Sequence, residues 1–422
     1  MQRSGQNSMA KFFLRLTPEF LALMFTAAVL ITVAGASGSP VELAPSQEPI
    51  PASYFTLNIL FHPNDHVPWP SVPFYGWRVW HALWFDLEPQ KGQWNFDHLD
   101  ALVNLAEQHH SEMLLILAYA PAWASTQSDP KSDWQAGSAG PLRDINDWKN
   151  YVRTVGTRYK GRIHTYEVWN EPDRSHAWLG SVDSMVEMTR DAHQILKEID
   201  PSNVVVGPSM ETAKGPEWLN EFLSKGGAQA VDIIGYHFYT GNENESGPPE
   251  DMIPLIQKVR EVMEQNHVGQ KQLWDTEAGW HLPNPFPSED MAAAYVARAY
   301  ILNWAAGVSR YYWYCWDEHN WAALRVTWQD GSLRAGGKAY ATIQAWLKGA
   351  TMQSCSTSDG KTWICTLERG GALQYIVWNT DGNTRFDMPR NWRVKSLTRL
   401  SGEVSAISQG PVSIGIQPAL LQ

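Results

Sequence analysis

Short apolar runs alternate with longer stretches of helical periodicity along most of this chain. Eight of the runs read as strands, at residues 54–61, 76–81, 113–119, 164–170, 204–208, 232–237, 272–277 and 309–315. Helical patterns fill the intervals at 96–109, 147–160, 182–199, 254–265 and 288–306. In the first of these, Leu99, Leu102, Val103, Leu105 and Ala106 recur at i, i+3 and i+4, which makes one apolar face. Ser288 followed by Glu289 and Asp290 reads as a capped, acidic helix start. Lys197 and Asp200-Pro201 supply the cation and the breaker that belong at a helix end. Strands alternating with helices imply parallel pairing, and eight such units imply an α/β fold closed as a (β/α)8 TIM barrel over residues 53–348.

After Gly349 the period changes. Runs of period two at 362–367, 373–378, 393–397 and 412–416 are separated by Gly, Asn-Thr-Asp-Gly and Pro turns. They predict a small all-β module over 349–422, sandwich-like and packed on the barrel, because so few strands cannot build a secure core alone. Residues 38–52, rich in Ser, Pro and Glu, read as a linker. Ahead of it, Lys11 and Arg15 precede an uncharged run at 20–36 that ends in Ala34-Gly35-Ala36-Ser37. Residues 1–37 therefore read as an export segment, either a cleaved signal peptide or a retained anchor in the inner membrane. The rest of the chain is expected to be periplasmic or secreted.

Composition narrows the chemistry. A formal charge of -11 with no basic patch excludes a nucleic-acid partner. The 22 Trp residues are many for 422 positions, and Trp169, Trp274, Trp280, Trp313 and Trp316 stand beside polar residues near predicted strand ends. Such placement suits indole faces laid against sugar rings, with core packing as the alternative. Of the three cysteines, Cys355 and Cys365 flank a Gly-containing turn and can pair across a hairpin, while Cys315 reads as a buried thiol. No zinc-type spacing occurs, and neither metal nor cofactor is expected.

The run Val168-Trp169-Asn170-Glu171-Pro172 ends an apolar strand in a carboxylate, and Leu273-Trp274-Asp275-Thr276-Glu277 does so again. Pro172 cannot extend a ladder, so Glu171 belongs at a strand's last residue or just beyond. Barrels carry catalysis at the C-terminal ends of their strands, and strands four and seven face one cleft. Two carboxyl groups meeting there are what glycosidic bond cleavage requires.

The Trp-Asn-Glu-Pro segment resembles the acid/base motif of the retaining glycoside hydrolases of clan A, which include families 5, 10 and 39. The resemblance runs from about residue 54 to 347 and is nearest to family 39, which adds a β-rich module. It implies that Glu171 is the acid/base and Glu277 the nucleophile. By the same likeness Arg78 is the second-strand arginine on the nucleophile, Asn170 the partner of the sugar 2-hydroxyl, and His237 and Tyr239 the sixth-strand pair. Trp313 resembles the eighth-strand floor of the subsite for the attacked sugar, and 85–92 the Glu-Pro-x-x-Gly loop. Family 5 enzymes often carry His at the end of strand three, where this chain has Tyr119. Trp123, Trp280 and Trp316 follow catalytic strands and are candidates for flanking subsites or for loop packing.

The implied reaction is double displacement at a β-glycosidic bond, with the carboxyl groups about 5–5.5 Å apart rather than the roughly 6.5–9.5 Å of inverting enzymes. The substrate expected is an extracytoplasmic polysaccharide or oligosaccharide, attacked internally. An exo-acting xylosidase or glucosidase and a non-catalytic carbohydrate-binding envelope protein are the alternatives. Elsewhere, His62, Asp65 and His66 read as a sugar-contacting or solvated loop rather than metal ligands, and Glu167, out of phase with Asn170, reads as barrel wall. His109-His110 mark a helix end, and Gly226-Gly227, Gly336-Gly337 and Gly370-Gly371 mark turns or caps.

Overall fold

The computed structural model describes residues 39–422 apart from 62–67, 128–131, 133, 243–244, 281–285, 318–325, 329 and 409. Eight parallel strands form the barrel: β1 Phe55–Ile59, β2 Gly76–Val79, β3 Glu112–Leu117, β4 Thr165–Val168, β5 Val204–Val206, β6 Ile234–Tyr236, β7 Leu273–Ala278 and β8 Arg310–Trp313. Their ladder runs β5-β4-β3-β2-β1-β8-β7-β6, and a parallel bridge from Val206 to Ile233 joins its two ends. The barrel is therefore the one the sequence pattern implies.

Several strands stop short of their apolar runs, and the backbone gives the reason. Phe61, His81, Tyr119, Trp169 and Glu171 all adopt left-handed φ, between 43° and 67°, just past the C-terminal ends of β1 to β4. For residues with a Cβ this costs about 1–3 kcal/mol each and persists only where the surroundings enforce it. Each such residue turns the chain out of the ladder and into the barrel mouth.

The expected helices appear as Asp97–His109, Ile145–Arg158, Val182–Ile199, Met252–Gln265 and Glu289–Ala305. Ser288 accepts from Met291 N as the cap of the last. Two further helices, Gly215–Ser224 and Ala335–Leu347, complete the layer. Gly336-Gly337 thus lies in the first turn of a helix, neither a turn nor its cap, which is Arg334. A Cβ on Gly337 would come within 2.5 Å of the Val326 carbonyl oxygen, so the glycine permits a close approach of helix to loop. Helix Glu289–Ala305 is buried nearly all round, which its even hydrophobicity reflects.

The C-terminal residues supply six strands of a seven-stranded antiparallel sheet, and a two-stranded ribbon, Thr384–Asp387 with Pro411–Ile414. Alternation divides the sheet into two faces. Ile376, Trp378 and Leu420 belong to the barrel's core, whereas Tyr375, Val377, Ala419 and Leu421 pack beneath the ribbon with Met388, Trp392 and Ile414. Cys355 faces Cys365 across the ladder and is disulfide-bonded to it.

One reading of the sequence needs correction. Residues 38–52 are not simply a linker, because Val41–Leu43 pairs antiparallel with Cys355, Ser356 and Thr357 as the sheet's edge strand. Val41 and Leu43, two apolar positions between Pro40 and Pro45, give too short a pattern to identify. Glu250 fastens the module to the barrel by accepting from Trp378 Nε1 at 3.0 Å and pairing with Arg298 of helix Glu289–Ala305. Among the described residues no helix is long and apolar enough to cross a membrane. The run at 20–36 lies outside them.

Candidate active site

Arg78 organises the mouth of the barrel. It is fully buried on β2, and its fork reaches three acceptors: Nε donates to Glu167 at 2.5 Å, Nη1 to Glu277 at 2.5 Å and Nη2 to Asn170 Oδ1 at 2.7 Å. A buried cation needs such partners, since an unpaired charge in the interior costs several kcal/mol. Glu167 is held on its other oxygen by Ser209 Oγ at 2.5 Å and Thr276 Oγ1 at 2.7 Å. It therefore does more than line the wall: it fixes the guanidinium that fixes the nucleophile candidate.

Strand alternation alone would not assemble this set. Glu167 and Asn170 are an odd number of residues apart, and the left-handed Trp169 between them restores both to the interior. Thr276 and Glu277 are adjacent yet both point inward. Between Asp275 and Ala278 the register with β8 slips, so β7 carries a bulge that re-aims Glu277.

Glu171 lies beyond β4, with its backbone N–H on the Ser209 carbonyl and both carboxylate oxygens engaged. Oε1 is 2.9 Å from His237 Nδ1, and Oε2 accepts from Arg174 Nη1 at 3.1 Å. Arg174 also donates to His176 Nε2 at 2.9 Å and lies 3.6 Å from Glu211. Across the mouth, Tyr239 OH donates to Glu277 Oε1 at 3.0 Å. One oxygen of Glu171, one of Glu277 and a ring nitrogen of His237 all lie within 4.8 Å of one another. That spacing would also suit a cation ligand set, but Arg78 already occupies Glu277 Oε2.

The electrostatics follow from burial. His237 is fully enclosed, which disfavours its cation and pushes its pKa down to about 4. The ring is neutral at pH 7, so its one hydrogen bond to Glu171 through Nδ1 runs either way: Nδ1 accepts when the Glu171 carboxyl is protonated and donates when it is ionised, while Nε2 has no partner among the described residues. Burial also raises Glu277 above its ordinary value, opposed by His237, by Arg78 and by the Tyr239 hydrogen bond. Tyr239 itself is held well above its ordinary value by burial, and remains a donor at every working pH.

The structure brings Arg78, Asn170, Glu171, His237, Tyr239 and Glu277 into one cluster, joined by Tyr119, whose OH accepts from Asn170 Nδ2 at 3.1 Å. Trp313 ends β8, buried, with no partner for its indole N–H among the described residues. Trp316 is likewise buried, its backbone N–H on the Asn58 carbonyl. Trp280 packs on Phe286 and Tyr295. Trp123 is engaged elsewhere: its Nε1 donates to the Glu88 carbonyl, its ring meets Trp84 edge-on and Lys91 sits over its face. That is loop packing for the Glu-Pro-x-x-Gly segment. His62, Asp65 and His66 lie outside the described residues.

Sequence reasoning passed over Arg174, Ser209, Thr276 and Trp134. A charged residue within the apolar run of β4 was the available sign for Glu167, and Arg174 stands one turn past Glu171.

Comparison with known proteins places the chain. Residues 74–316 match the model of Glycosyl hydrolases family 39. A β-xylosidase of Geobacillus stearothermophilus is 24% identical over 229 residues, covering 49% of this chain and 45% of the relative, so the match spans less than half of that protein. A solved family 39 glycoside hydrolase from Bacteroides cellulosilyticus WH2 superposes with a TM-score of 0.69 at 20% identity, covering 88% of this chain and 82% of the other. A monomeric β-xylosidase from Caulobacter crescentus CB15 does so at 0.65 and 15%, covering 90% and 97%. With the family model spanning more than half the chain over the residues that build the site, the protein belongs to glycosyl hydrolases family 39.

Proposed function

We propose that the chain is a retaining O-glycosyl hydrolase acting inside an extracytoplasmic polysaccharide. One observation carries the reading: carboxylate oxygens of Glu171 and Glu277 lie within 4.8 Å, with Arg78 and Tyr239 on the second. Retaining enzymes keep the pair about 5–5.5 Å apart, whereas inversion needs room for a water, roughly 6.5–9.5 Å. Glu277 attacks the anomeric carbon as Glu171 gives its proton to the leaving oxygen. A glycosyl-enzyme forms. Glu171, now the base, takes a proton from water, which displaces Glu277 and restores both groups. A second sugar competing with that water gives transglycosylation.

The β-xylosidase relatives favour a second reading, exo-acting release of single sugars. Product sizing separates the two. Polysaccharides and xylo- or gluco-oligosaccharides are incubated with wild type and with Glu277→Gln, the products are sized, and the first anomer formed is read by NMR. A mixture of oligosaccharides of retained configuration, absent with the variant, supports the proposal. Cleavage undiminished in Glu277→Gln overturns it. Export rests on the uncharged run at 20–36, and N-terminal sequencing of protein from a cell fractionation distinguishes a cleaved signal from a membrane anchor.

A further inference from the structure

Among the described residues Trp134 is one of few large hydrophobic side chains left open to solvent, 37% exposed, and it stands beside the site rather than at a distance from it. One face stacks on Trp80 at 5.1 Å and 24°, and its edges reach Tyr119 at 5.9 Å and His81 at 6.0 Å. These are not neutral neighbours. Trp80 lies over the Arg78 guanidinium at 4.8 Å, and Tyr119 holds Asn170. Trp134 is thus one ring removed from the residues around the attacked sugar.

The described residues around it, Ser132 and Trp134–Ala139, are held by hydrogen bonds. Ser132 and Ser138 share a hydroxyl hydrogen bond at 2.5 Å, Trp134 N–H donates to Ser132 Oγ, and Ala120 N–H donates to the Ser138 carbonyl. The Leu179 N–H takes the Ala139 carbonyl, which ties the same residues to the segment after Glu171. An indole with one face packed, one face open and an anchored backbone presents area at little entropic cost on binding.

We propose that the open face of Trp134 stacks on the second sugar of the glycone, the unit next to the attacked one on the side away from the leaving group. The direction follows from the acid. Glu171 is gripped from β5 and β6, through Ser209 and His237, so the leaving group departs on that side. Trp134 stands on the opposite side, above β2 and β3. A pyranose ring meets indole through its axial C–H groups, an apolar contact tolerant of which sugar supplies it. This rests on the glycosidase reading and extends it: an enzyme with such a platform prefers chains over single residues.

The experiment compares wild type, Trp134→Ala and Trp134→Phe on matched pairs, 4-nitrophenyl β-xyloside with β-xylobioside and β-glucoside with β-cellobioside. Trp134→Ala lowers kcat/KM on the biosides on the order of tenfold and leaves the monoglycosides unchanged, and Trp134→Phe recovers most of the loss. Equal losses on both members of a pair, or none on the bioside, overturn the proposal. Binding of xylotriose and cellotriose by calorimetry, in the Glu277→Gln background with and without Trp134→Ala, separates it from the parent reading. Weaker trisaccharide binding without Trp134, in a wild type that cleaves nothing, keeps the platform and removes the glycosidase. Unchanged binding removes the platform.

Discussion

Replacing Tyr239 by Phe takes one hydroxyl from the site and keeps the ring. That hydroxyl donates to Glu277 Oε1 at 3.0 Å and is among the groups holding the carboxyl down against its burial. A hydrogen bond to a charged group contributes roughly 1.5–3 kcal/mol. With 1.36 kcal/mol per pKa unit, its loss raises Glu277 by on the order of one to two units. The sign follows from the direction of the shift. Glu277 already titrates above its ordinary value, its ionised form attacks, and activity falls as pH drops through that raised value. Removing the donor moves the acidic limb of kcat/KM further up and leaves the alkaline limb in place. The assay is a pH profile on an aryl glycoside, with circular dichroism at each pH to exclude unfolding. An acidic limb that stays put or moves down would refute the account of Glu277.

Two other outcomes follow from the same geometry. Glu171→Ala loses about 10²–10⁴-fold on substrates with poor leaving groups, far less on 2,4-dinitrophenyl glycosides that need no acid, and azide accelerates turnover of the latter with a retained glycosyl azide as product. A uniform loss across leaving groups, unaffected by azide, would count against Glu171 as the acid. Asp275 is enclosed on β7, and burial keeps its pKa well above the unfolded value of about 3.9. The folded chain therefore holds a proton that the unfolded chain releases, and stability falls as pH rises above that value. Asp275→Asn flattens this slope in urea titrations between pH 5 and 8, and a loss equal at all pH values would show that the carboxyl matters in another way.

Much of the site was legible because the groups concerned are carried by local patterns. Asn170 and Glu171 sit in a four-residue motif closed by Pro, and Arg78 is a lone cation inside an apolar strand. What could not be read depends on phase. Alternation assigns Glu167 and Asn170 to opposite faces, and Thr276 and Glu277 likewise, until a left-handed residue in one place and a bulge in the other shift the register. Neither carries a glycine or other mark in the sequence. Trp123 shows the limit from the other side: an indole after a strand end reads equally as a sugar platform or as loop packing, and only the fold shows its N–H on the Glu88 carbonyl and Lys91 over its face. Strand Val41–Leu43 was invisible because its partner lies over 300 residues away.

That distant pairing bears on how the chain can be cut. The sheet that closes the chain begins with residues from before the barrel, and its inner face roofs the helix leading from β7, which bears Glu277, into β8. Glu250 rivets the two layers through Arg298 and Trp378. Truncation at residue 349 would strip the cover from that helix and leave the buried Arg298–Glu250 pair short of its indole. The appendage is part of the frame on which Glu277 is mounted.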